Sequence, residues 1–171
     1  MQQTGLNNDS LHVSMVRSLL ERVRALPGVE AASVARSVVL GPGPIASTPT
    51  RIEGYAPSPD ESMNVSYNVV SGDYLRTTGI RLIEGRGISD ADMDQNAPVV
   101  VVNEAFVRRY LAGHAAIGAR ISVTGDERLS VVGVVATSKY NDYTEDPLPV
   151  VFRAYSARSA PGAFALHVRA A

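Results

Sequence analysis

The chain has 171 residues, of which 45% are hydrophobic and 19% charged, a balance that supports a buried core and excludes a disordered tail. Its 16 Lys and Arg residues against 17 Asp and Glu residues give a net charge of -1, which argues against a nucleic-acid binder held by phosphate contacts. Because the sequence has no cysteine, disulfides, cysteine nucleophiles, zinc–thiolate sites and iron–sulfur clusters are excluded.

The chain begins with a predicted helix over residues 11–26, with Ser10 as its N-cap and Pro27–Gly28 as its stop signal. The apolar side chains at helical spacing, which we expect to face the core, are Leu11, Met15, Leu19, Val23 and Leu26. The residues expected to form its solvated face are Arg17, Glu21, Arg22 and Arg24.

Three short strands are predicted after this helix. Residues 29–39 are rich in Val and Ala, and Gly41-Pro42-Gly43-Pro44 then breaks the chain into a loop that runs to about Pro49. Residues 50–55 predict a second strand, and the alternation of residues 63–70 predicts a third.

Short helices and a tight loop are predicted in the middle of the chain. Residues 72–78 predict a helix that ends at Gly79, where a left-handed backbone is expected. Gly85-Arg86-Gly87 is a tight loop, and Ser89 is placed to cap an acidic helical turn over residues 90–94.

The remaining sequence predicts strands and one more helix. Residues 99–102 are apolar throughout, as in a strand buried on both faces, and Asn103 is placed to cap a helix over residues 104–111. Further strands are predicted over residues 120–123, 129–136, 150–154 and 164–168. Because helices and strands do not alternate regularly, the pattern predicts an α+β fold.

The sequence contains no recognisable metal, cofactor or nucleotide motif. His12, His114 and His167 lie far apart, and no two of them have metal-ligand spacing. The acidic run that starts at Asp90 lacks the Gly and Glu that a calcium loop needs at its sixth and twelfth positions. Neither a phosphate loop nor the G-x-S-x-G turn of a serine hydrolase occurs, so we expect no cofactor.

Arg86 is the charged residue that the sequence singles out. Glycines on both sides constrain its backbone and aim its side chain, so we expect it to form a structural ion pair with Asp90, Asp92 or Asp94. The rival hypothesis for the same residues is a small hydrolase site, which would need a carboxylate with a strongly raised pKa in a cleft.

A series of short sequence motifs indicates a family resemblance over roughly residues 10–155. In chain order they are LPGVE (26–30), VSGDYL (70–75), TGI (78–80), EGRGI (84–88), VVVVNEAF (99–106), RYL (109–111) and VVGVV (131–135). In this order and spacing the chain resembles the periplasmic core domain of MacB/FtsX-type ABC transporter permeases, in particular the duplicated orphan permeases often found in acidobacteria.

The resemblance implies a soluble domain at the periplasmic face of the bacterial inner membrane, set between the first two membrane helices of a permease. It implies a porter-like α/β subdomain, here residues 10–56 and 147–171, with an inserted, strand-rich, sabre-like subdomain over residues 57–146. Such a domain has no catalytic residues, because ATP hydrolysis belongs to a separate cytoplasmic domain or chain. Its movement when the nucleotide-binding domains close implies a mechanotransmission role.

The resemblance also implies partners. These are the protein's own transmembrane helices, an ATPase subunit and a periplasmic partner protein, with no nucleic acid. Family members usually continue beyond Arg169 with a helix and a strand, so we expect an incomplete porter-like half whose exposed edge would favour a homodimer.

Two further expectations concern binding. The candidate partner contacts are the loop over residues 41–49, which begins Gly41-Pro42-Gly43-Pro44, and the acidic turn near residues 90–94, because they are polar or rich in Gly and Pro and contribute little to a core. The alternative to the permease domain is a free-standing soluble ligand-binding module, which would need an apolar pocket with convergent polar groups.

Overall fold

The computed structural model describes residues 4–41, 45–123, 125, 127–159 and 162–171, with side chains of the first helix from residue 11 onward. The helices in these residues are α1 (Thr4–Arg24), α2 (Tyr74–Thr78), α3 (Asp90–Asp94) and α4 (Glu104–Tyr110). The strands are β1 (Val29–Ala35), β2 (Ser47–Ile52), β3 (Asn64–Val70), β4 (Leu82–Gly85), β5 (Val99–Asn103), β6 (Arg120–Val123), β7 (Arg128–Val135), β8 (Val150–Ala154) and β9 (Ala165–Ala170). The predicted α+β class is therefore confirmed.

The sheet closes on itself through β2. Residues 47–49 of this strand pair with β3, and residues 50–52 pair with β6. The strand order β2-β6-β7-β5-β8-β3 therefore returns to β2 and forms a six-stranded ring. Outside the ring, β1 pairs with β3, β9 pairs with β1, and β4 pairs with β7.

The ring contains strands from both sides of the predicted subdomain boundaries. β2 and β8 belong to the segments predicted as porter-like, whereas β3, β5, β6 and β7 belong to the predicted insert. Hydrogen bonds between strands cross these boundaries, as in the parallel pairing of β3 with β8. The division of the chain into a porter-like and a sabre-like subdomain stays a prediction.

Buried apolar side chains lie on both faces of the curved sheet. All six ring strands and α4 contribute to one cluster, which we place inside the ring. The uninterrupted apolar character of β5 follows from its position, because Val100 and Val102 point into this cluster while Val101 joins a second cluster on the outer face with Tyr74 and Phe152. The prediction of a strand buried on both faces is confirmed.

The first helix presents a different face to the core from the one expected. Val16 and Leu20 are its buried residues, packed on Ala32 and Val34 of β1, with Met93 of α3 in the same cluster. The residues of the predicted stripe that lie exposed are Leu11 (64%), Met15 (54%) and Leu26 (56%). The prediction was wrong for these three residues, whereas Val23 of the same stripe packs against the buried cluster. Because α1 carries two apolar stripes, spacing alone does not choose between them.

The helix ends show how well local capping signals predict structure. Ser89 caps α3 in a capping box, and Asn103 caps α4 by accepting a hydrogen bond from the Phe106 N–H, both as predicted. Gly79 ends α2 with φ 74°, also as predicted. Ser10 is not an N-cap, because α1 already begins at Thr4. Among the described helices, none combines the length and the apolar character needed to cross a bilayer.

Candidate functional site at the junction of α1 and α3

The backbone around Arg86 has glycines because two strands approach closely there. Gly85 has φ 71°, and a Cβ atom at this position would overlap the carbonyl oxygen of Val132. A Cβ atom on Gly133, the partner of Gly85 in β7, would overlap the carbonyl oxygen of Arg86. The close contact between β4 and β7 therefore fixes the backbone from which the Arg86 side chain extends.

The Arg86 side chain forms a two-pronged ion pair with Asp92. Arg86 Nη1 lies 2.7 Å from Asp92 Oδ2, and Nη2 lies 2.9 Å from Oδ1. The Ser89 N–H and hydroxyl also donate to Asp92 Oδ2, at 2.9 and 2.8 Å. Burial alone would raise the pKa of Asp92, but the hydrogen bonds from Arg86 and Ser89 hold this pKa below its usual value. A lowered pKa is the opposite of what the hydrolase hypothesis needs from this carboxylate.

The other two carboxylates of α3 contact α1 instead of Arg86. Arg17 Nη1 lies 2.7 Å from Asp94 Oδ2, and Arg24 Nη1 lies 2.6 Å from Asp90 Oδ2. The structure thus brings one of the three predicted acids to Arg86 and directs the other two to arginines on α1. One helical turn therefore links the sheet, through Arg86, to the first helix.

Arg24 contacts β1, α3 and the loop before α2, a role that was not predicted from the sequence. Its side chain is only 24% exposed, so its assignment to the solvated face was wrong. Its Nε donates to the Ala32 carbonyl at 3.1 Å, and its Nη2 donates to the Gly72 carbonyl at 3.4 Å. It also pairs with Asp73 at 3.5 Å, in addition to Asp90. The sequence feature that could have indicated this role is the position of Arg24 in the last turn of α1, seven residues after Arg17.

Gly72 allows α3 to dock against the loop before α2. A Cβ atom at Gly72 would overlap Asp90 Oδ1 and would lie 2.8 Å from the Asp90 backbone nitrogen. The Gly72 position is therefore closed to a side chain while Asp90 is held by Arg24. We define the α1–α3 junction as Arg17, Arg24, Gly72, Asp90 and Asp94.

The junction consists of ion pairs and one close contact between short elements. Its ion pairs hold short elements together, and the described residues contain no group of three or more His, Asp or Glu side chains placed to hold a metal ion. Arg24, Asp90 and Asp94 are partly exposed, so the link between α1 and α3 is accessible to water, whereas the Arg86–Asp92 link is anchored by a nearly buried carboxylate.

The predicted partner-contact loop is described only at its ends. Leu40 has φ 54° and donates its N–H to the Tyr140 carbonyl at 2.7 Å, directly before Gly41. Pro42, Gly43 and Pro44 lie outside the described residues. At the far end, the Ile45 N–H donates to Asn141 Oδ1 at 2.6 Å. Partner contact by this loop stays a prediction.

Comparison with known proteins gives one family and several structural relatives. The family model described as the MacB-like periplasmic core domain matches residues 2–170. The periplasmic region of MacB from Actinobacillus actinomycetemcomitans superposes with a TM-score of 0.65 at 16% identity, covering 91% of this chain and 64% of that structure. A search of curated proteins finds no match.

Two further solved structures share the fold. The extracellular domain of the noncanonic ABC-type transporter YknZ from Gram-positive bacteria has a TM-score of 0.59 at 12% identity, covering 91% of this chain and 72% of that one. A domain of a protein described as a permease from Porphyromonas gingivalis has a TM-score of 0.56 at 14% identity, covering 88% of this chain and 65% of that one. At these identities the likeness shows the fold alone.

Proposed function

The chain belongs to the family of MacB-like periplasmic core domains, and from this membership we propose that it transmits conformational change in an ABC-type permease to substrate or partner proteins in the periplasm. The chain is a non-catalytic part of that machine. The chain covers 64% of the MacB periplasmic region. The activity and partners of a whole permease are therefore proposed for it.

The observation that carries this proposal is the double attachment of α1. Val16 and Leu20 anchor the buried face of the helix on β1, and Arg17 and Arg24 attach its flank to α3. A displacement of α1 would therefore move α3, and through Asp92 and Arg86 it would move the loop after β4. Close-packed cores and interfaces transmit such displacements as rigid shifts.

The partners follow from the same proposal. Transmembrane helices of the full-length permease would move α1, and an ATPase in a separate domain or chain would supply the energy. A periplasmic partner would contact the loop that begins at Gly41. A homodimer would use β9, whose Leu166 and Val168 side chains are exposed.

Hydrogen exchange in the full-length permease tests the transmission step without knowledge of the substrate. The permease is reconstituted in nanodiscs with its ATPase, and exchange is compared between the nucleotide-free state and the state trapped with ATP and vanadate. In the wild type we expect nucleotide-dependent changes in α1 and in residues 85–95. In the double variant Arg17→Gln/Arg24→Gln the change should persist in α1 and disappear from residues 85–95.

Arg22→Gln is the matched control, because Arg22 is exposed on the same helix. It should behave like the wild type. The proposal is overturned if trapping nucleotide changes exchange nowhere in this domain, or if the double variant keeps the wild-type change in residues 85–95.

A further inference from the structure

A cleft opens beside β2, where this strand leaves β3 and pairs with β6. Its volume is about 530 Å³, a size typical of small-molecule sites. Its lining is largely apolar and includes Pro49, Ile52, Tyr55, Pro57 and Met63. None of the residues of the α1–α3 junction lines this cleft.

The Tyr55 side chain, which lines one wall of the cleft, is fixed by contacts with Tyr110 and Glu61. Its ring meets the ring of Tyr110 edge-on, with centroids 5.2 Å apart. Its hydroxyl donates to the Glu61 carboxylate at 2.8 Å, and Arg109 pairs with the same carboxylate at 3.2 Å. A wall fixed in this way does not need to reorganise when a ligand enters, which favours binding.

Arginines line the sheet surface next to the cleft. The strand register places Arg51 opposite Ser122, and Ser122 opposite Arg128, in one row across β2, β6 and β7. Since neighbouring strands lie about 4.8 Å apart, Arg51 and Arg128 are about 10 Å apart along this row. Arg51 and Ser122 line both the cleft and a neighbouring depression, which also contains Arg120 and Arg128.

Three arginines, Arg51, Arg120 and Arg128, share the described lining of this depression, and we call them the arginine face. Glu53 is the one acidic residue in the described lining of the depression. In the described part of the chain Arg120 and Arg128 form no ion pair, whereas Arg153, for example, pairs with Glu127. Exposed guanidinium groups beside an apolar cleft are complementary to a ligand with an acidic end and an apolar end.

We propose that this site binds a small anionic amphiphile. The apolar body of the ligand lies in the cleft between Tyr55 and Met63, and its carboxylate or phosphate group lies on the arginine face, where the Ser122 hydroxyl supplies a further donor. The site is separate from the α1–α3 junction, so this proposal does not depend on the transmission of movement.

Binding of fatty acids and their analogues to the 171-residue chain tests the proposal. Hexanoate, octanoate and decanoate, each below its micelle-forming concentration, are titrated and followed by backbone amide chemical shifts. We expect shifts at residues 50–56, 63, 120–123, 125, 127 and 128, and affinity that rises about fourfold per added methylene until the cleft is full. Decanol and decyltrimethylammonium, which lack the negative charge, should bind more weakly than decanoate.

Arginine variants test the headgroup contact. Arg128→Gln should weaken decanoate binding by up to about fivefold, and Arg120→Gln/Arg128→Gln by more, while decanol binding stays unchanged. Arg108→Gln, an exposed arginine on α4, is the matched control and should leave decanoate binding unchanged. Vesicles of phosphatidylglycerol distinguish a free amphiphile from a lipid surface.

Three results would overturn the proposal. The first is equal binding of decanol and decanoate, and the second is an equal effect of Arg108→Gln and Arg128→Gln. The third is binding to phosphatidylglycerol vesicles with no shifts from monomeric decanoate, which would assign the arginines to a membrane surface and leave the cleft without a ligand.

Discussion

Arg24 and Asp90 lie 66 residues apart in sequence, and their side chains meet at 2.6 Å between Arg24 Nη1 and Asp90 Oδ2. The contact joins the end of α1 to the start of α3. Most ion pairs at protein surfaces contribute little to stability, but Arg24 is only partly exposed and also donates to the backbone carbonyls of Ala32 and Gly72. This combination makes Arg24 a structural residue with several partners.

Removal of the Arg24 charge is expected to destabilise the domain. Arg24→Gln should lower the free energy of unfolding by about 1.5–3 kcal/mol, because a charged donor and its hydrogen bonds are lost and two carbonyls lose a partner. Urea unfolding followed by circular dichroism measures this change. Arg22→Gln, on the exposed side of the same helix, should change it by less than about 0.5 kcal/mol.

A double-mutant cycle measures the energetic coupling between Arg24 and Asp90. In a double-mutant cycle with Asp90→Asn, the two substitutions should be less than additive, because the second removes a partner that is already lost. Strict additivity would show that Arg24 stabilises the protein through its other partners, Ala32, Gly72 and Asp73.

Local signals in the sequence predicted much of the fold. The caps at Ser89 and Asn103 and the left-handed stop at Gly79 depend on residues within one turn of each helix end, so they can be identified from the sequence. The closure of the sheet through β2 could not be predicted, because it depends on one strand dividing its hydrogen bonds between β3 and β6.

The candidate site was predicted only in part for a related reason. Arg86 and the acidic turn lie within eight residues of each other, and their spacing indicated an ion pair. Arg24 reaches Asp90 only because α1 turns Val16 and Leu20 toward β1, and the sequence favoured the other apolar stripe. A residue whose role depends on the rotation of a helix cannot be assigned until the buried face is known.

Gly72 should not tolerate a side chain. In Gly72→Ala the new methyl group would collide with the Asp90 side chain and backbone nitrogen, so α3 would have to shift away from Arg24. We expect a loss of about 1–3 kcal/mol in the free energy of unfolding, the usual cost of overpacking. Gly162→Ala is the control, because a Cβ atom there meets no atom within 4 Å. Equal stability of both variants would contradict the close contact between Gly72 and Asp90.

Asp92 should stabilise the domain at neutral pH and lose this effect in acid. Its pKa is lowered in the folded state, so its contribution is present above the unfolded value near 3.8 and disappears as the pH falls through the folded value. Asp92→Asn should lower the free energy of unfolding by about 1.5–3 kcal/mol at pH 7, and the wild type and variant should converge below pH 3.8. Asp60→Asn, at an exposed position, is the control for loss of a carboxylate. A difference that stays constant down to pH 2 would show that Asp92 acts by packing alone.

His167 gives the domain a pH response in a separate range. The residue lies on β9, its ring packs edge-on against Tyr74 with centroids 5.8 Å apart, and its Nε2 atom is buried. Burial lowers the pKa of His167 below 6.5, because the charged imidazolium would lose its hydration.

The direction of the response follows from the lowered pKa. As the pH falls through 6.5, the unfolded chain binds a proton at His167 more readily than the folded chain, so the free energy of unfolding decreases toward acid. His167→Phe keeps an aromatic ring against Tyr74 and removes the titrating group, and it should therefore reduce the loss of stability between pH 7.5 and pH 5.5. Urea unfolding at the two pH values measures this difference, with His114→Gln as the control for loss of an exposed histidine. A wild-type domain that is more stable at pH 5.5 than at pH 7.5, with the difference abolished by His167→Phe, would mean that His167 gains a negatively charged partner on folding.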